Sequence, residues 1–150
     1  MNGDNMTQDN VKILIKSQQT DIDDPSPYVI ELTTDGKILD DGERVTIKYD
    51  EYVEEDSSSV AHTSLTFLKN NPGIVTLSRS GAVQASCVFS KGERHKMLYT
   101  MDVGTIEFGV LTRNLENTIK NKSGNIRMKY DTEVRGSVVR QCDFKITVKS

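Results

Sequence analysis

Tryptophan is absent from the 150 residues, and the side chains that carry most protein chemistry are scarce. There are two cysteines, Cys87 and Cys142, two histidines, His62 and His95, and three prolines. No Cys-x-x-Cys, no histidine pair at ligand spacing, no phosphate-cradling glycine loop and no Gly-x-Ser-x-Gly elbow occurs. That removes the sequence signatures of zinc clusters, dithiol redox centres, nucleotide loops and serine hydrolases. No metal, no cofactor and no catalytic residue is therefore expected. Long apolar runs are missing as well, so no segment is expected to span a membrane. The opening MNGDNMTQDN has neither a basic nor an apolar stretch, so no secretory signal is expected. Both cysteines sit among apolar neighbours and read as buried free thiols in a reducing, cytoplasmic setting.

Helical periodicity is also lacking, and a period of two takes its place. Odd positions carry Val11-Ile13-Ile15, Val45-Ile47-Tyr49, Val83-Ala85-Cys87-Phe89 and Met97-Tyr99-Met101-Val103. Even positions take over in Ile106-Phe108-Val110, Ile126-Met128-Tyr130 and Cys142-Phe144-Ile146-Val148. Alternation of this kind puts each set on one face of a strand, with polar residues on the other. A chain in which nearly every segment alternates is an antiparallel sheet curled around its own core. The fold class is thus all-β: one closed or nearly closed antiparallel barrel of about 8–10 strands. Residues 11–149 form this single domain, and residues 1–10 are expected to be a disordered tail.

Turn residues divide the strands. Asp21 to Pro27, with two prolines and three carboxylates, reads as a loop. Asp41-Gly42 reads as a two-residue hairpin turn that sets Ile38 opposite Val45 and Thr34 opposite Tyr49. Residues 54–61 read as a solvated loop. Ser80-Gly81-Ala82 reads as a three-residue hairpin pairing Leu77 with Ala85 and Val75 with Cys87, with Gly81 left-handed. Inward parity slips from even to odd between Thr112 and Leu115, which predicts a β-bulge near Arg113-Asn114.

Charge is distributed unevenly. Residues 1–56 carry 15 acidic against 5 basic side chains, and residues 57–150 carry 7 against 14. Either acidic and basic strands pair as neighbours, or the basic half meets an anionic ligand or partner. Nucleic acid is disfavoured, because Arg127 and Lys129 alternate with Asp131 and Glu133 on one outer face. Paired carboxylates at Asp23-Asp24, Asp40-Asp41 and Glu54-Glu55-Asp56 read as solvated turns.

The candidate site residues are polar ones at inward parity: Arg79, Arg140, His95, Tyr49, Tyr99 and Tyr130. A buried guanidinium needs a partner, an opening or a ligand. These groups either reach water at the rims or line a cavity for a small amphipathic or anionic molecule.

The run Arg79-Ser80-Gly81, Phe89, Gly92, His95, Tyr99, Gly104 and Thr112, with the closing hairpin from Ile126 to Val148, resembles the bacterial YwiB-like family. The resemblance covers about residues 11–149. It departs from the family pattern at Met101-Asp102-Val103, where a Thr-Pro pair is the rule. It implies a calycin-type, lipocalin-like closed barrel in the bacterial cytosol, and implies no reaction, cofactor or catalytic residue. The expected function is non-enzymatic binding of a small amphipathic or anionic ligand inside the barrel. The alternative is a protein-interaction module using an outer sheet face or edge.

Overall fold

The computed structural model describes residues 7–52 and 60–150. Ten strands follow one another in the chain: β1 (Thr7–Asp21), β2 (Asp24–Asp40), β3 (Arg44–Tyr52), β4 (Val60–Leu68) and β5 (Asn71–Gly81). The second half holds β6 (Gln84–Ser90), β7 (Arg94–Met101), β8 (Gly104–Asn117), β9 (Gly124–Val134) and β10 (Ser137–Lys149). Each strand pairs antiparallel with its sequence neighbours, and β1 also pairs with β10, which closes the barrel. No helix occurs among the described residues. Period-two alternation suits this arrangement because a closed sheet gives all the apolar faces one common interior, and the β1–β10 ladder supplies the closure. Ile13, Ile47, Leu65, Val75, Val110, Ile126 and Ile146 are fully buried there.

Two alternating positions lie outside the core. Val103 sits in the β7–β8 turn and Ile106 pairs with Tyr99 just beyond it, and both are exposed because the β7–β8 hairpin runs on past the point where β8 pairs with β9.

The strand ends differ from expectation in five places. β1 begins at Thr7, and Thr7–Asn10 pair with Lys37–Asp40, so the expected tail is strand from that point on. β2 begins at Asp24 and runs through both prolines. Pro25 and Pro27 fall where β2 is paired only to β1 among the described residues, at a strand end that tolerates the missing N–H groups. The β2–β3 turn places Ile38 opposite Ile47 and Asp40 opposite Val45, one residue further along than Asp41-Gly42 sets it. The Asp41 carboxylate explains the shift, since its Oδ1 accepts from the backbone N–H groups of Glu43 at 3.0 Å and Arg44 at 2.6 Å. The β5–β6 turn is displaced in the same way, with Leu77 opposite Cys87 and Val75 opposite Phe89. Gly81 is left-handed as expected, at φ 92°. Both displacements preserve face parity, so the core is the expected one. Val60 and Ala61 belong to β4 rather than to a loop, and the Glu54-Glu55-Asp56 cluster lies outside the described residues. The expected bulge is present, between Thr112 and Asn114.

Two ladders are short. β6 pairs with β7 only from Gln84 to Ser86, and below that the β6–β7 turn bonds to β8 instead. Gly92 N–H donates to the Thr112 carbonyl at 2.8 Å, and Thr112 N–H to the Glu93 carbonyl at 3.2 Å. β2 pairs with β3 only from Gly36 to Asp40. A Cβ at Gly36 would lie 2.2 Å from Ile13 Cδ1 and 2.6 Å from the Lys48 carbonyl. Glycine is required where β2 is squeezed between those two neighbours, and beyond it the strands part.

The start of β1, the end of β10 and the β2–β3, β4–β5, β6–β7 and β8–β9 turns share one end of the barrel, here the lower end. The connection from β8 to β9 folds across it, with Asn117 Nδ2 donating to the Pro72 carbonyl at 3.1 Å and Ile119 packing on the core.

Ion pairs join the acidic and basic halves. Lys69 meets Asp40 at 2.7 Å, Arg140 meets Asp21 at 2.7 Å, and Lys122 pairs with Asp9. On the outer face, Arg113 Nε bonds Asp131 at 2.6 Å and Arg127 Nη2 bonds Asp143 at 2.8 Å. Arg94 reaches Glu133 at 3.2 Å across β8, over Gly109. Neighbour pairing thus absorbs much of the charge asymmetry.

Gly36→Ala should lower stability by about 1–3 kcal/mol, the usual cost of overpacking a fixed site. Urea denaturation checks this, and an unchanged midpoint would mean that β2 and β3 do not need the close approach at Gly36.

Candidate functional site

Strand after strand changes from apolar to polar as it rises toward the upper end. On β5, Leu77 gives way to Arg79. On β3, Ile47 and Tyr49 give way to Glu51, and on β1, Ile15 gives way to Ser17 and Gln19. These side chains enclose a cavity of about 230 Å³ in the upper half of the barrel. Its floor is apolar, with Leu77, Phe89, Met97, Met128 and Phe144. Its collar is polar, with Tyr49, Glu51, Thr63, Arg79 and Tyr99. Ser17, Thr63 and Ala85 are small inward residues at this level, and the space they leave is the cavity.

Four of the six expected site residues meet here: Arg79, Tyr49, Tyr99 and Tyr130. Arg79 has a partner on β3. Its Nη2 donates to Glu51 Oε2 and its Nε lies 3.4 Å from Thr63 Oγ1, while Thr63 donates to Glu51 Oε2 at 3.1 Å. Both members of the pair are half-buried, with side-chain exposures of 24% and 23%. Burial works against the Arg79 charge, but the Glu51 carboxylate outweighs it, and the guanidinium holds its proton more tightly than usual. Burial raises the Tyr49 phenol far above its ordinary value, with the nearby Glu51 charge adding to the effect. Tyr130 is raised chiefly by burial too, and its ring packs tilted against Phe89 with centroids 4.9 Å apart. The phenols therefore act as neutral dipoles at any physiological pH.

Glu51 and Thr63 were not among the expected site residues. Glu51 shares odd parity with Val45, Ile47 and Tyr49, so the sequence already pointed it inward.

Arg140 and His95 do not line this cavity. Arg140 stands exposed on the upper rim, donating from Nε to Asp21 at 2.7 Å and from Nη1 to Gln19 Oε1 at 3.1 Å. His95 lies low on β7 opposite Val110, its Nε2 3.3 Å from Glu93 Oε2. Parity gave both a face, whereas height along the barrel decides what they touch.

A larger open groove of about 480 Å³ lies at the lower end, between Ile38, Val45, Phe67 and the Asn117–Lys122 stretch. It contains none of the expected site residues, and two of its lysines, Lys69 and Lys122, are paired with Asp40 and Asp9. Among the described residues no three His, Cys, Asp or Glu side chains are grouped to hold a metal ion.

Residues 13–146 match the family described as a domain of unknown function, DUF1934. The chain belongs to that family. It is 30% identical over 112 residues to the uncharacterized β-barrel protein YwiB of Bacillus subtilis strain 168, a span covering 75% of each protein. It is also similar to the crystal structure of the Bacillus subtilis ywiB protein. There the TM-score is 0.82 over 97% of this chain and 95% of that one, at 24% identity. The structural likeness bears on the fold: the two chains share one β-barrel architecture.

Arg79→Met alone should destabilise by about 1–3 kcal/mol, because Glu51 keeps a half-buried charge without its counter-ion. Arg79→Met combined with Glu51→Met should recover most of that loss. Denaturant midpoints of the two single variants and the double variant check the coupling, and additive losses would show the pair to be energetically idle.

Cys87 and Cys142 are buried and unbridged, and burial pushes the Cys87 thiol up to about 11. Both should react with a thiol reagent at neutral pH only slowly in the native protein and rapidly after denaturation. Prompt labelling of the native protein, read by mass analysis, would contradict this.

Proposed function

We propose that the barrel binds one small amphipathic molecule in its upper cavity and performs no chemistry on it. The observation that carries this reading is the cavity itself, about 230 Å³, lined from nine strands and having an apolar floor and a polar collar. A buried apolar volume with a few convergent polar groups is the usual form of a small-molecule site. Barrels of this size have room for one such ligand, which is how lipocalin-like barrels use their interiors. The buried free thiols fit a reducing compartment, in keeping with a cytoplasmic location.

A second reading, docking of a protein partner, is favoured by a different observation. Tyr28, Val29 and Ile30 are exposed on β2, and Asp24–Asp35 pair only with β1 among the described residues. Such an edge offers a ladder of backbone groups to an added strand.

The two readings separate in one titration with the neutral fluorescent probe phenylnaphthylamine. The ligand reading expects a single saturable site that is lost in Ala85→Trp, a variant whose added ring fills the cavity while the far-ultraviolet spectrum is kept. Undiminished binding to that variant would move the probe to the outer surface and leave the partner reading standing.

A further inference from the structure

The upper cavity contains two charged side chains among the described residues, Arg79 and Glu51, and they neutralise each other. Each keeps part of its hydrogen-bonding capacity. Arg79 spends Nη2 on Glu51 and Nε on Thr63, and its Nη1 makes no bond among the described residues. Glu51 receives Arg79 and Thr63 on Oε2, and its Oε1 makes none there. The collar therefore offers a strong donor beside a strong acceptor, with no net charge.

Resting on the reading of the upper cavity as a ligand site, we infer that its ligand carries a neutral head group with a donor beside an acceptor, as a primary or cyclic amide does. Such a head gives its carbonyl to Arg79 and its N–H to Glu51 at once, and each is a charge-assisted hydrogen bond. An anionic head meets the Arg79 guanidinium and the Glu51 carboxylate together, so attraction and repulsion offset while the head loses its hydration. To gain more, it would have to break the pair and leave Glu51 uncompensated in a half-buried site. A cationic head faces the same obstacle with the signs reversed. The remaining groups of the collar, Tyr49, Tyr99 and Thr63, present hydroxyl groups that suit a neutral guest. Below the head, the tilted Phe89–Tyr130 pair, Met97 and Met128 form an apolar bed for a compact body.

The test uses three probes on one ring, benzamide, benzoate and benzylammonium, titrated at neutral pH and followed through backbone amide NMR signals. Benzamide is expected to shift the signals of Tyr49, Leu77 and Arg79 and to bind at least about tenfold more tightly than either ion, each tenfold being about 1.4 kcal/mol. Two variants reverse the preference if the pair sets it. Glu51→Gln leaves Arg79 uncompensated and should turn the site toward benzoate, whereas Arg79→Gln should turn it toward benzylammonium. Either variant suffices if the other loses its dispersed spectrum. Tighter binding of benzoate than of benzamide by the unaltered protein would overturn the neutral head group and leave the cavity a ligand site. Failure of all three probes to move the cavity signals would overturn both inferences.

Discussion

The structure depends on one strand having two partners. β1 is paired with β2 on one edge and with β10 on the other, from Lys12 opposite Lys149 to Asp21 opposite Arg140. That double pairing turns a ten-strand meander into a barrel, and it leaves no register freedom. A slip of one residue would turn Ile13 and Ile15 out to water and bring Lys12 and Lys16 in. Once β1 is fixed, β2 follows it, and Gly36 sets the height at which β2 and β3 separate. The inward faces then have a single enclosed volume to share.

How that volume is filled differs between the two halves. In the lower half, branched aliphatic residues such as Ile38, Ile47 and Ile126 meet in a closed core, and Ile119 caps it. In the upper half the inward positions hold small or polar residues, and β2 has already moved away from β3. Packing is incomplete there by composition. The polar side chains that remain are held by one another, as Arg79, Glu51 and Thr63 show. Incomplete packing forfeits dispersion contacts, so the upper half contributes less to stability than the closed core below it.

Much of the fold was legible because a strand face is a local property. Alternation identified the interior residues of β1, β3, β6, β9 and β10, the bulge after Thr112 was visible as a slip of parity, and Gly81 announced its own turn. The turns themselves were harder to place. A hairpin shifted by one residue on each arm keeps the same faces, so parity could not distinguish Ile38 opposite Val45 from Ile38 opposite Ile47. The Asp41 side chain made that choice by binding two backbone N–H groups, an interaction with no periodic signature. Pro25 and Pro27 looked like a loop because proline opposes a ladder, yet they fall where β2 is paired on one edge among the described residues. In the candidate site, the tyrosines and Arg79 were found by parity, whereas Glu51 was passed over although it obeyed the same rule. Arg140 and His95 obeyed it as well, but parity says nothing of height, and both lie away from the cavity.

The pairing of β1 with β10 also has a meaning in time. The two halves of that ladder, Ile15 and Ile146 for example, stand more than a hundred residues apart in the chain. On the ribosome, β1 to β9 can form hairpins as they emerge, yet the first strand keeps an open edge until the tenth is made. Throughout that interval the sheet has two free margins and an uncovered apolar surface, a state prone to pair with other chains. Topologies with contacts this distant also fold slowly once complete. The lysines on the outer face of β1, Lys12 and Lys16, which flank the Ile13–Ile15 stretch on either side, are suited to discourage false partners while the chain waits for its last strand.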